Sequence, residues 1–268
     1  MIRNMLLSAA TALSVGLSLS GPARAQEFDH IKSVINVSFL QGWRHESGAH
    51  YAALKVELAP GWKTYWRAPG DGGLPTLMSW EGSQNLARAQ ILWPRPSVFR
   101  EGGMRSIGYD TEVVLPIRFL PVTGDDIYAA LRLRMGVCKE VCLPVDLKLS
   151  TKLDRKATQN VALIRSALDA RPDKIEAKLT CRLTRKDGAY LVSVTATVPP
   201  LEGRSEASVI ELDDPMVWVS EPAFQRSGDT VMAKAQLIPQ AKSSTIDLTR
   251  LRFTLLSTSD AVEMRGCG

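Results

Sequence analysis

Cys138, Cys142, Cys181 and Cys267, the four cysteines of this 268-residue chain, are its side chains best suited to chemistry. Cys138 and Cys142 stand in Gly136-Val-Cys-Lys-Glu-Val-Cys-Leu-Pro144, between two runs of alternating polar and apolar residues. That pattern predicts a hairpin with one cysteine on each side of Lys139-Glu140-Val141. Residues opposite one another in a hairpin have Cα atoms about 4.5–5.5 Å apart, inside the range a disulfide accepts. On a chain-entropy account so short a loop constrains the unfolded chain by only about 2 kcal/mol, whereas a Cys181–Cys267 bond would contribute roughly 4.6 kcal/mol. Cys181 and Cys267, at the first and last strand candidates of the second half, are therefore the better structural disulfide. The short pair on a turn is the better reactive site, because exchange needs an accessible sulfur and a thiolate attacking in line. Arg132, Arg134 and Lys139 would favour a thiolate there and Glu140 would oppose it. Spacing alone leaves three uses open for Cys138 and Cys142: redox exchange, a structural bridge, or a soft Cu(I) site completed by Met104 or Met135.

Other catalytic patterns are weak. His30, His45 and His50 all lie near the start and form no zinc signature with the cysteines. Asp71 and Glu81 have no evident partner for acid–base work, and neither a nucleophile elbow nor a phosphate-binding glycine loop occurs. Gly70-Asp-Gly-Gly73 reads as a turn, and Trp43, Trp62, Trp66, Trp80 and Trp93 read as packing residues. No cofactor is implied.

The elements that must position the cysteines are short strands. Tyr51–Leu58, Val113–Leu120, Tyr128–Met135 and Val145–Leu149 alternate with a period of two, and Pro116 suggests an edge or a bulge in the second of these. Asp154 to Arg171 breaks the rhythm. Ala157, Val161, Ile164 and Leu168 share a helical face, with Asp154 as N-cap and Pro172 as the stop, which predicts a linker helix. Alternation returns in Ile175–Thr184, Tyr190–Val198, Ser208–Leu212, Thr230–Ile238 and Leu248–Ser257, with a turn at Lys186-Asp187-Gly188. The expected fold is all-β, two immunoglobulin-like β-sandwiches joined by a helical linker. The expected division is a targeting segment over 1–25, a first sandwich over 26–153, the linker over 154–172 and a second sandwich over 173–268.

The targeting segment follows from Arg3, the apolar stretch Met5–Leu19 and the small-x-small site Ala23-Arg24-Ala25, which together read as an export signal cleaved before Gln26. No later stretch has the roughly 20 apolar residues a span requires, so no membrane insertion is expected after cleavage. The chain carries 33 basic and 28 acidic side chains. That near-balance, with the basic residues scattered, argues against a nucleic-acid partner.

Several segments together resemble a known family. They are Gly61-Trp-Lys-Thr-Tyr-Trp-Arg-Ala-Pro-Gly-Asp-Gly-Gly73, Trp93-Pro-Arg-Pro96, Gly108-Tyr109, Leu115-Pro116 and Cys138-x3-Cys142-Leu-Pro144, in that order. As a set they are similar to the N-terminal periplasmic domain of the thiol:disulfide interchange family DsbD, in its ScsB-like variant, over roughly Phe28 to Leu153. The resemblance implies a periplasmic immunoglobulin-like domain that passes reducing equivalents to thioredoxin-fold oxidoreductases. It also implies that Cys142 forms the mixed disulfide and Cys138 resolves it. Three departures stand out: the cysteine spacing is shorter than in DsbD itself, and the segment aligned with the family's aromatic cap, Glu101-Gly-Gly-Met104, lacks aromatics. Glu101, Met104 and Tyr109 are the candidate cap residues. No transmembrane or thioredoxin-like part is present, so a relay would need a separate membrane electron donor.

Overall fold

The computed structural model describes residues 31–186, 189–241 and 246–267. The stretch expected as an export segment, Met1–Ala25, as well as His30, Asp187 and Gly188, lies outside them. The described chain forms four sheets, stacked in pairs as two immunoglobulin-like β-sandwich domains.

The first pair comprises β1 (Ile35–Arg44), β2 (His50–Leu58), β3 (Lys63–Tyr65), β4 (Leu77–Ser79), β5 (Arg88–Ile91), β6 (Ser97–Glu101), β7 (Met104–Tyr109), β8 (Glu112–Leu120), β9 (Ile127–Cys138), β10 (Cys142–Leu153) and β11 (Thr158–Gln159). One sheet runs β11-β1-β2-β8-β5; the other runs β10-β9-β3-β7-β6, with β4 also on β9. Alternation decides which face each residue takes. Along β9, Leu131, Leu133 and Met135 are buried in the core, while Tyr128, Arg132 and Arg134 are exposed on the outer face. Leu54, Val56, Trp66, Ile107, Leu115 and Phe119 fill the space between the sheets. Trp80 packs edge-on to Phe119 at 5.1 Å.

Pro116 belongs to neither an edge strand nor a bulge. β8 pairs β2 in unbroken register, with Pro116 opposite Ala53, and β5 lies on its other side. The Pro116 carbonyl, facing β5, accepts from Leu92 just past the end of that strand. The missing N–H therefore falls where the ladder has already stopped.

The helix is shorter than the spacing predicts, spanning Val161–Asp169 with Asn160 as N-cap in the left-handed region at φ 56°. Asp154 instead accepts from the Lys156 backbone N–H in a local turn, and β11 follows, pairing with β1. Ile164 is buried against Ala53 and Val114. The helix is thus docked on the first sandwich rather than spanning free between two bodies.

The second sandwich contains β12 (Asp173–Lys174), β13 (Thr180–Lys186), β14 (Ala189–Thr197), β15 (Ala207–Glu211), β16 (Val217–Val219), β17 (Ala223–Ser227), β18 (Thr230–Pro239), β19 (Arg252–Leu256) and β20 (Ala261–Arg265). Its sheets run β12-β20-β19-β15 and β13-β14-β18-β16, with β17 on β18. The segment expected as a strand from Leu248 begins as a 3₁₀ turn, Leu248–Arg250, because the Asp247 carboxylate accepts the Thr249 N–H and caps it. Cys181 on β13 is bonded to Cys267, which follows β20, so the bond ties one sheet to the other.

The sandwiches meet along a charged seam. Arg67 donates to both oxygens of Glu211, at 3.0 and 3.2 Å from Nε, and to Glu263 at 2.7 Å. Arg105 donates to the Ser208 carbonyl at 2.9 Å. Val209, Leu256 and Ala261 join the apolar cluster of the first sandwich.

Candidate functional site

Cys138 ends β9, Cys142 begins β10, and the two are direct cross-strand partners with Cα atoms 4.1 Å apart. They form a disulfide. Being in phase with Arg132 and Arg134, Cys138 projects from the outer face of the sheet, away from the core. Even so, Cys138 is only 4% exposed, whereas Cys142 is open to solvent. The difference comes from what covers that face.

β3 supplies most of the cover. Lys63 is the direct partner of Cys138 in the β3–β9 ladder, so both side chains leave the same face. Tyr65, two residues on, shares that face, and its hydroxyl lies 3.8 Å from Cys142 Sγ. A disulfide sulfur carries no hydrogen, so the hydroxyl is the donor. Burial, with a smaller push from the Glu101 charge, holds the Tyr65 phenol above its ordinary range. Thr64, between them, donates from Oγ1 to the Gly136 carbonyl at 2.9 Å and locks β3 to β9.

Two glycines make room. A Cβ on Gly136 would stand 2.7 Å from Leu74 Cβ, so the Gly70–Leu74 turn rests on that bare position. Gly61, with φ +81°, faces the Lys139 side chain, whose Cε would be 3.1 Å from an added Cβ. The Gly70-Asp-Gly-Gly73 segment is thus a turn packed against β7 and Tyr65, with Leu74 over Gly136.

The cations near the cysteines in sequence are not the ones the fold brings to Cys138. Arg132 is engaged by Asp146, with Nε–Oδ1 3.0 Å and Nη2–Oδ2 2.7 Å, and that bond holds the Asp146 carboxyl below its usual range. The cation set in register with Cys138 is Lys63, from a strand far away in sequence. Its ammonium is ion-paired with Glu101 and stands 4.8 Å from the centre of the Phe99 ring.

Residues 36–154 match the family described as thiol:disulfide interchange protein DsbD, N-terminal. The first sandwich is thus similar to the N-terminal domain of DsbD. A crystal structure of the N-terminal periplasmic domain of ScsB from Proteus mirabilis is similar to the chain with TM-score 0.63 and 23% identity, covering 87% of this chain and 93% of that one. That likeness speaks for the fold, and its extent takes in the second sandwich as well as the first. No curated protein matches the sequence.

Within the first sandwich the candidate cap residues part company. Glu101 sits at the end of the β6–β7 hairpin and reaches Lys63. Met104 faces it across the turn and is 58% exposed. Tyr109 is buried instead, its hydroxyl donating to the Pro94 carbonyl at 2.9 Å, because Tyr109 lies opposite Thr64 rather than on the sulfur side of β7. Burial raises its phenol well above the ordinary range. The aromatic on the sulfur face of this hairpin is Phe99, two residues before Glu101, and sequence reasoning missed it. Lys63 and Tyr65 were missed too, although the alternation of Trp62-Lys-Thr-Tyr-Trp66 carried their shared orientation.

The copper alternative loses one ligand here. Met135 is buried on the core face of β9, opposite to Cys138, so its thioether does not face the two sulfurs. Among the described residues no cluster of three or more His, Cys, Asp or Glu is arranged to hold a metal ion.

Proposed function

We propose that the first sandwich, like the DsbD N-terminal domain it resembles, is a periplasmic thiol–disulfide exchange module working through Cys138 and Cys142. The observation that carries this reading is the asymmetry of the bond, with Cys142 exposed and Cys138 covered. A partner thiolate attacks Cys142 Sγ along the S–S axis. The Cys138–Cys142 bond breaks, a Cys142–partner disulfide forms, and the electron pair leaves on Cys138 Sγ as a thiolate. A second thiolate of the partner then attacks the partner sulfur of the mixed disulfide and releases Cys142. The domain ends as a dithiol and the partner as a disulfide; the reverse sequence passes the two electrons on to a disulfide-bearing partner.

The fitting partners are thioredoxin-fold periplasmic oxidoreductases, whose nucleophilic cysteine is presented on an exposed edge. We assign electron supply to a membrane protein, as the resemblance to DsbD suggests; among the described residues no helix is long and apolar enough to cross a membrane. Cys181–Cys267 serves as a structural disulfide in the second sandwich.

Trapping tests the assignment. Cys138→Ser leaves Cys142 without its resolving thiol and accumulates a mixed disulfide with a thioredoxin-fold partner; Cys142→Ser yields none. Equal trapping by both variants, or by neither, overturns it.

A further inference from the structure

Lys63 is one of few charged side chains buried among the described residues, and the others, Arg105 and Glu263, are spent on the seam between the sandwiches. An ammonium withdrawn from water costs several kcal/mol unless anions compensate it. Its one carboxylate partner, Glu101, is itself 66% exposed, and solvent screens such a partner. An ammonium has three donors, and a single carboxylate oxygen occupies one. The residue directly across the ladder is Cys138, on the same face and under the same cover.

We propose that Lys63 is a positioning residue for exchange: its ammonium receives the negative charge that appears on Cys138 Sγ when the disulfide opens, and Glu101 limits how much of that ammonium is available. The inference rests on the exchange reading above. Attack on Cys142 sends an electron pair to Cys138, a sulfur sheltered from water, where an uncompensated thiolate is disfavoured. Lys63 supplies the missing counter-charge without leaving β3. Glu101 and the thiolate then compete for one cation. The other charged or titratable groups on this face are Tyr65 from β3, Lys139 and Glu140 from the turn, Arg134 farther along β9, and Asp110 just past β7. Of these, Lys139 lies over Gly61 and Tyr65 donates to Cys142.

The experiment uses the whole protein carrying Cys142→Ser, so that Cys138 is a lone thiol and Cys181–Cys267 stays bonded. Thiolate absorbance near 240 nm is followed against pH with Lys63 intact, then with Lys63→Met, Lys63→Arg and Glu101→Gln. Lys63→Met should lower the thiolate fraction at neutral pH on the order of tenfold, the effect of one nearby unit charge in a partly screened site. Lys63→Arg should restore it. Glu101→Gln should raise the fraction, because the freed ammonium turns wholly to sulfur. If the ion pair served only to hold the hairpin, Lys63→Met and Glu101→Gln would break the same contact and move the titration in the same direction. That result, or no movement in either variant, overturns the proposal. Partner trapping is read separately in the Cys138→Ser protein, so a failure of exchange itself is told apart from a failure of Lys63.

Discussion

Replacing both Cys181 and Cys267 by serine opens the long-range bond of the second sandwich and leaves every strand in place. The two residues are 86 apart in sequence, and fixing their ends together removes unfolded-state entropy worth about 4.6 kcal/mol at 25 °C. The same reasoning for Cys138 and Cys142, separated by 4, gives only about 1.9 kcal/mol. A domain of this size has roughly 5–15 kcal/mol in hand, so the long bond accounts for a third or more of it. Its packing supports the estimate, because the bond joins the sheet containing β13 to the sheet containing β20, around a core of Leu179, Val194, Leu237 and Phe253. Urea unfolding reads the loss directly. Trp218 is the sole tryptophan after Trp93, so the fluorescence change that disappears on adding Trp218→Phe belongs to the second sandwich. The serine pair should lower its midpoint by roughly 3 M or more at an m of about 1–1.5 kcal/mol/M. The pair at Cys138 and Cys142 should lower the first sandwich by far less. A loss below about 1 kcal/mol for the long pair, or equal losses for the two, would refute the assignment of the long bond as the structural one.

Two further outcomes concern the seam between the sandwiches. Arg67→Met leaves the buried Glu263 and Glu211 with Arg252 and Arg265 as their only cations, and should cost about 3 kcal/mol, the usual penalty for breaking a largely buried pair; thermal unfolding measures it, and a change under 0.5 °C contradicts it. Acid should weaken the same seam. Burial pushes the Glu263 carboxyl up, but Arg67, Arg252 and Arg265 together pull it below its ordinary 4.5. A carboxyl depressed on folding stabilises fully above the unfolded value and loses that contribution as pH falls through the folded one. The melting temperature should therefore drop as pH goes below 4.5, and less steeply in Arg67→Met; equal slopes would exclude Glu263 as the source.

The parts of the fold that sequence makes legible are those with one face wet and one dry over many residues. β9 alternates from Ile127 to Met135 and β10 over most of its twelve residues, whereas Val113–Ile117 of β8 are buried in succession. The hairpin joining Cys138 to Cys142 follows from the phase of Leu131-Arg-Leu-Arg134 and Val145-Asp-Leu-Lys148, which match across the turn. β3 and β4 have three residues each, too few to establish any period, and so Lys63 and Tyr65 could not be brought to the sulfurs by pattern. Their placement depends on which strand β9 takes as its second neighbour, a long-range choice made by the core. The helix start was misjudged for a different reason. Asp154 and Asn160 are both good capping types, and pairing of Thr158 and Gln159 with β1 takes the intervening residues out of the helix.

One short segment links the Cys138–Cys142 pair to the second sandwich. Lys63 lies beside Cys138, Thr64 bonds to Gly136, Tyr65 reaches Cys142, Trp66 is wholly buried in the core, and Arg67 crosses to Glu211 and Glu263. Arg67 also stacks on Trp66, its guanidinium carbon 3.9 Å from the ring centre. β3 makes only two ladder pairs with β9 and two with β7, so its own hydrogen bonds hold it weakly. The anchors at its far end, Trp66 in the core and Arg67 on the neighbouring sandwich, supply what so short a strand lacks. The second sandwich thereby fixes the cover over Cys138, and the unequal exposure of the two sulfurs depends on that fixed cover.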